Sequence, residues 1–252
     1  MKKLNKKHIV CLLIILMIFS FVWFDSVFLK NNSAIFADEL KKAGEASDVI
    51  IIFNSGGFGT VDFDHAYDLK PIIDNLEEVV ESMNYNVSII PYYRTRETVI
   101  GKIGHLKEMV FGFPKQSKDM AEQIKEFLKQ NPEDKIIMTG LSNGAAFVAS
   151  IMDDLKDTGN NVLAIELGAP FWSDKNINDN VLFLDNNGND VLTAGNKKEI
   201  ISSFIKAPFK WTYSIILNKK ISYAEAMEAP GHRYYWENIK ADVVSFFENK
   251  LK

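Results

Sequence analysis

The chain has 252 residues, 47% hydrophobic and 25% charged, with a net charge of −4, a composition that gives one large α/β domain enough material for a well-buried core. Residues 1–30 hold five Lys and one Asp, which leaves the rest of the chain at −8, and an acidic body without a basic stripe argues against nucleic acid as a partner. The single cysteine, Cys11, excludes disulfides, thiol catalysis and cysteine-based metal sites from everything after it.

Met1 to Lys7 carries four lysines, and Ile9 to Phe24 is a sixteen-residue run, apolar but for Ser20, closed by Asp25. This predicts a hydrophobic helix with its lysines retained in the cytoplasm. Its length falls between a signal-peptide core and a membrane span of ~20 residues. Val27, Phe28 and Leu29 extend it when Asp25 sits at the interface, whereas Ala34-Ile35-Phe36-Ala37 is a distant and poor cleavage-site match. The expectation is an uncleaved single-pass anchor over residues 1–30 carrying an extracytoplasmic domain. The alternative is a cleaved signal and a secreted protein. Residues 31–47 read as a linker and 48–252 as the domain.

From Asp48 onward strands alternate with helices. Val49 to Phe53 is a short apolar run, as in a parallel strand buried on both faces. Leu69 to Met83 has helical spacing, Asn86 to Tyr92 is a second strand, and Met120 to Gln130 is a helix. A strand ending at Thr139, a helix from Ala145 to Leu155 and strands Val162 to Leu167 and Val181 to Leu184 follow. Ile221 to Met227 is strand-like, and a last helix runs from Tyr234 to Leu251 with Trp236, Ile239, Val243 and Phe246 inward. The predicted class is α/β, a mostly parallel, doubly wound sheet with helices on both faces.

Within that order, Gly140-Leu141-Ser142-Asn143-Gly144 joins a strand to a helix. Such a turn pushes the Ser142 side chain into a strained, exposed position, and its glycines let the backbone pass close by. Ligands of such sheets bind at the carboxyl ends of the strands. The loop after the first strand, Asn54-Ser55-Gly56-Gly57-Phe58-Gly59, can turn an N–H of Gly57 or Phe58 toward the point reached by the Asn143 N–H, forming an oxyanion hole. It lacks the spacing of a dinucleotide-binding turn.

A serine nucleophile needs a base. Of the four histidines, His8 belongs to the lysine-rich start, and His232, in Ala229-Pro230-Gly231-His232 before the last helix, is the best placed. His65, in Asp62-Phe63-Asp64-His65, reads as a capping or solvated group rather than a metal ligand, and His105 sits in a possible flap from Thr98 to Pro114. The acid is sought after the strand Val181 to Leu184. Asp190, beyond Gly188, reaches a histidine loop better than Asp185 at the strand end. An Asn/Gly/Asp turn without a catalytic part is the plain alternative.

The run from Val49 to His232 resembles the α/β-hydrolase superfamily in its glycine loop, its Gly-x-Ser-x-Gly elbow and its Ser, Asp, His order. The elbow, with Leu141 before the serine and Asn143 after it, is similar to some esterases and polyester depolymerases. It departs in having Ser55-Gly56 where His-Gly is usual and Ala145 where a second glycine follows the elbow. The resemblance implies an acyl-serine mechanism on an ester or thioester, of lipid or cell-envelope origin, with Ser142, Asp190 and His232 as the triad. No cofactor and no metal are called for. A hydrolase-fold protein without activity, acting as a binding or scaffolding module, is the alternative from another class; a peptidase or acyltransferase is the alternative on the same triad. Residues 195–220 fall where such folds insert a cap, and they mix Phe204, Phe209, Trp211, Tyr213, Ile215 and Ile216 with six Lys and one Glu. This +5 stretch reads as amphipathic helix packed on the sheet with solvated lysines, or as a surface for anionic lipid or a cover over a lipid cleft.

Overall fold

The computed structural model describes residues 32–95, 98, 101, 108, 112–173, 178–217, 219, 221, 226 and 228–251. The expected N-terminal anchor and His105 lie outside the described residues, and among the described ones no helix is long and apolar enough to cross a membrane. Five strands, β1 (Val49–Asn54), β2 (Val87–Pro91), β3 (Lys135–Leu141), β4 (Val162–Leu167) and β5 (Val181–Leu184), form one parallel sheet in the order β2-β1-β3-β4-β5.

All of β1 is buried, and its alternate side chains enter two different cores. Ile50 and Ile52 pack on one face of the sheet, Val49, Ile51 and Phe53 on the other. A strand apolar on both sides requires a helical layer on each. On the Ile50 face these are α1 (residues 32–44), α3 (Gln116–Gln130) and α4 (Asn143–Asp154); on the other, α2 (Lys70–Ser82) and α7 (Trp236–Lys250). A one-turn helix α5 (Val191–Ala194) and the long α6 (Lys197–Ile216) follow β5.

Two expectations are corrected, and a third falls mostly outside the described residues. The stretch 31–47 is not a linker over most of its length: α1 occupies 32–44 and buries Phe36, Leu40 and Ala43, with Phe36 edge-on to Tyr92 at 5.3 Å. Its apolar positions recur at helical spacing, which gives α1 a face to bury. In α7 the buried residues are Ile239, Val243 and Phe247, while Trp236 and Phe246 are half-buried at the margin of the core. Of the expected strand 221–227 only Ile221 and Ala226 are described, and neither is in a strand.

Candidate active site

Ser142 stands between β3 and α4 with φ 55° and ψ −121°, a backbone conformation that L residues adopt only under constraint. The constraint is local packing. A Cβ on Gly140 would lie 2.4 Å from the Gly144 carbonyl carbon, and one on Gly144 would lie 2.3 Å from the Asn54 carbonyl oxygen. The Ser142 N–H donates to the Leu167 carbonyl at 2.9 Å, tying the turn to the end of β4. Although Ser142 is the N-cap of α4, its hydroxyl makes no capping bond, which leaves it available for chemistry. The Asn143 N–H is at the first helical position, among the donors that a helix leaves without an internal partner.

The residue after Leu167 connects this turn to the histidine. Gly168 has φ 61°, and a Cβ there would fall 2.7 Å from both Asp190 Oδ2 and His232 Cε1. The structure therefore brings Asp190 and His232 together against the backbone that also holds Ser142. His232 Nδ1 lies 2.8 Å from Asp190 Oδ2, with the ring mostly buried and the carboxylate wholly so. Contact through Nδ1 leaves Nε2 as the ring nitrogen for proton transfer.

Asp190 is held by more than the histidine. Its Oδ1 accepts from the N–H groups of Leu192 at 2.9 Å and Thr193 at 3.3 Å, so it caps α5, and Oδ2 also accepts the Tyr234 hydroxyl at 2.6 Å. Burial alone would push this carboxyl up, but the hydrogen bonds from His232, Tyr234 and Thr193 outweigh it and hold the pKa below the usual carboxylate range. Burial and the bond to Asp190 push the Tyr234 hydroxyl up, so it stays a donor. Asp185, the other candidate acid, accepts from the Gly188 N–H at 2.9 Å and shapes the turn instead. Asn186, Asn187 and Gly188, all at positive φ, complete that turn. Hydrogen bonds from Val191 N–H to the Pro230 carbonyl and from Asn186 Nδ2 to the Gly231 carbonyl lace the acid loop to the histidine loop.

The loop from Asn54 to Gly59 is fixed by a residue from another strand end. Arg94, just past β2, is fully buried and donates to the carbonyls of Ser55 at 2.5 Å, Gly57 at 3.5 Å and Asn143 at 3.1 Å. Its guanidinium also lies 5.6 Å from the Phe113 ring centre and 5.7 Å from that of Phe147. No carboxylate among the described residues forms an ion pair with it. Burial pushes its pKa down to about 9, which still leaves it charged at neutral pH. Asn143 Nδ2 donates to the same Gly57 carbonyl at 3.2 Å. Because a trans peptide points its C=O and N–H in opposite directions, pinning the Gly57 carbonyl also sets the direction of the Phe58 N–H.

Sequence reasoning missed Arg94, Gly168 and Tyr234. Arg94 had one visible signal, a charged residue just past the carboxyl end of a strand. Gly168 and Tyr234 had none, since their role rests on partners far away in the chain. His65 is exposed, 3.4 Å from Asp62, and no metal-binding cluster is formed by the described residues. A groove of about 780 Å³ between α2 and α7, lined by Glu78, Met83, Tyr85, Trp236 and Lys240, includes none of the residues around Ser142.

A five-stranded parallel sheet layered by helices, with a serine on the turn after its central strand and an acid and a histidine both beyond its last strand, has the architecture of an α/β-hydrolase fold. The chain is similar to the solved structure of Trichoderma reesei cutinase in complex with a C11Y4 phosphonate inhibitor, with a TM-score of 0.51, 15% identity, and coverage of 90% of this chain and 92% of that one. No family model matches the chain, and no curated protein matches it in sequence.

Proposed function

We propose that the protein is a serine hydrolase acting on a carboxylic ester or thioester of lipid or cell-envelope origin, held at the membrane by its N-terminal segment with the domain outside the cytoplasm. The observation that carries this reading is Ser142 at positive φ on its elbow, joined through Leu167 and Gly168 to the Asp190–His232 pair. The similarity to a cutinase solved with a phosphonate inhibitor supports it at the level of fold.

Ser142 Oγ attacks the substrate carbonyl carbon while His232 Nε2 takes the hydroxyl proton. Asp190, kept ionised, holds the ring tautomer and stabilises the imidazolium. The negative charge that develops on the carbonyl oxygen meets the Asn143 N–H and one from Gly57 or Phe58. Return of the proton to the leaving alcohol or thiol gives the acyl-serine. Water then attacks it with His232 as base, releasing the acid and restoring Ser142.

Labelling of the full chain in mild detergent with a fluorophosphonate probe tests the reading. Stoichiometric labelling that Ser142→Ala and His232→Ala abolish supports it, and an ester chain-length series then defines the acyl group. A folded wild-type protein that takes no label would exclude the hydrolase and leave the fold as a binding module.

A further inference from the structure

Helix α6 is inside out. Among its described side chains the buried ones are small and partly polar, Ser203, Ala207 and Ser214, and the two serine hydroxyls turn back onto the carbonyls of Glu199 at 3.0 Å and Trp211 at 2.6 Å. At about 100° per residue, Ile201, Ile205, Phe209 and Ile216 share an arc of about 80° on the opposite side of the helix. They are 58%, 63%, 74% and 73% exposed. A surface helix normally buries its large apolar residues and exposes its small polar ones. Here the order is reversed from Ile201 to Ile216, about 22 Å of helix. Isolated exposed apolar residues are ordinary, whereas four large ones on one face, interrupted only by Thr212, mark a contact surface.

The charges around the stripe identify what covers it. Lys197, Lys198, Lys206 and Lys210 are exposed on α6, and Lys219 follows it, in a body that is otherwise acidic. A second copy of the chain would set two such lysine groups face to face, and the lysine-rich N-terminus would meet the same repulsion. A layer with anionic headgroups above an apolar interior satisfies both kinds of side chain, with acyl tails against the stripe and phosphates against the lysines. Only seven residues separate Phe24, the end of the apolar run, from the start of α1 at residue 32, so an anchored chain keeps this body beside the bilayer.

We propose that α6 is a membrane-docking helix that lies in the plane of an anionic lipid surface with Ile201, Ile205, Phe209 and Ile216 among the acyl chains. The start of α6 lies beside the loop that follows Gly168. Phe171 and Trp172, also exposed, come three and four residues after Gly168; Lys197 Nζ lies 5.8 Å from the Phe171 ring centre. Docking in this way brings the loop after β4, which carries Gly168, and with it the candidate site toward the lipid. That consequence rests on the hydrolase reading; the docking does not.

The test uses the full chain with Cys11→Ser, single cysteines at Ile205→Cys, Phe209→Cys and, as a control on α7, Asp242→Cys, each labelled with a polarity-sensitive fluorophore. The proteins are reconstituted into phosphatidylcholine vesicles with or without phosphatidylglycerol, containing lipids that carry a nitroxide in the acyl chain. The expected result is blue-shifted emission and several-fold quenching at 205 and 209 but not at 242. Quenching should be stronger with phosphatidylglycerol and weakened by Lys206→Glu with Lys210→Glu. Water-like emission at 205 and 209 would overturn the proposal. So would blue-shifted emission without lipid quenching but with label-to-label energy transfer, which would assign the stripe to a second copy. Equal quenching without phosphatidylglycerol would overturn the anionic assignment. Each outcome is read without catalysis, so a failed fluorophosphonate reaction and a failed docking are separable.

Discussion

The two sides of the candidate site are assembled by opposite uses of charge. On the acid side a buried carboxylate, Asp190, gathers donors from His232, Tyr234 and two backbone N–H groups. On the oxyanion side a buried cation, Arg94, gathers carbonyls from Ser55, Gly57 and Asn143. A buried ion is tolerable only when hydrogen bonds replace its hydration, and each of these obtains them from neutral dipoles more than from an opposite charge. What differs is the purpose. In the proposed mechanism Asp190 touches a group that must change protonation state, whereas Arg94 touches backbone that must stay still.

This contrast can be broken at either end. The largest effect is expected from Asp190→Asn, which keeps the shape but supplies the wrong hydrogen-bonding partner for Nδ1; ester hydrolysis should fall by about ten-thousand-fold. A loss under tenfold in a folded protein would remove Asp190 from the proton-transfer unit. Next comes Arg94→Met, which takes the guanidinium donors from the carbonyls of Ser55, Gly57 and Asn143, leaves Gly57 only its bond from Asn143 Nδ2, and loosens the loop. A fall of about a hundredfold in kcat with little change in KM is expected, the size associated with a lost oxyanion donor. Arg94→Lys, a point charge without the planar fork, should recover only part of it. Equal kcat in all three proteins would mean that Arg94 serves stability alone.

Gly168→Ala sharpens the comparison, because its new methyl group meets Asp190 and His232 without touching Arg94. The acid–histidine pair should be displaced, with a loss of several tens of fold that misplacement by about an ångström can produce. Crystallographic comparison of the two proteins would show whether the His232 ring moves. The smallest effect is expected from Tyr234→Phe. It removes one donor from Asp190, for a loss of about tenfold or less. The sign of its pH effect is fixed. The depressed Asp190 pKa favours the folded, ionised form above the ordinary carboxylate range, and that contribution is lost as pH falls through the folded value. Without the tyrosine donor the carboxyl protonates at a higher pH, so the acid limb of both activity and thermal stability should move upward. An unchanged acid limb would show that Tyr234 does not hold the charge.

Much of the architecture follows from local pattern. The apolar run of β1, the helical spacing of α2 and α3 and the glycines around Ser142 act through neighbours in the chain, and their reading places a parallel sheet with a serine at its carboxyl edge. Asp190 and His232 are legible as candidates because strand ends carry the loops that bind ligands. The choice between Asp185 and Asp190 is different. Both lie in one Asn/Gly turn, and only the positive φ values at Asn186, Asn187 and Gly188 direct one carboxylate back to the turn and the other to the histidine 42 positions away.

The amino-acid sequence by itself determines the alternation of strands and helices and the strained serine, because periodicity and steric room at glycine are properties of short segments. Tertiary structure decides that Arg94 joins three carbonyls, that Gly168 must lack a side chain, and that α6 turns Ser203 and Ser214 inward and Phe209 outward. Those outcomes depend on which distant surfaces meet. A helix presents its faces equally in every direction until packing against the rest of the chain selects one of them.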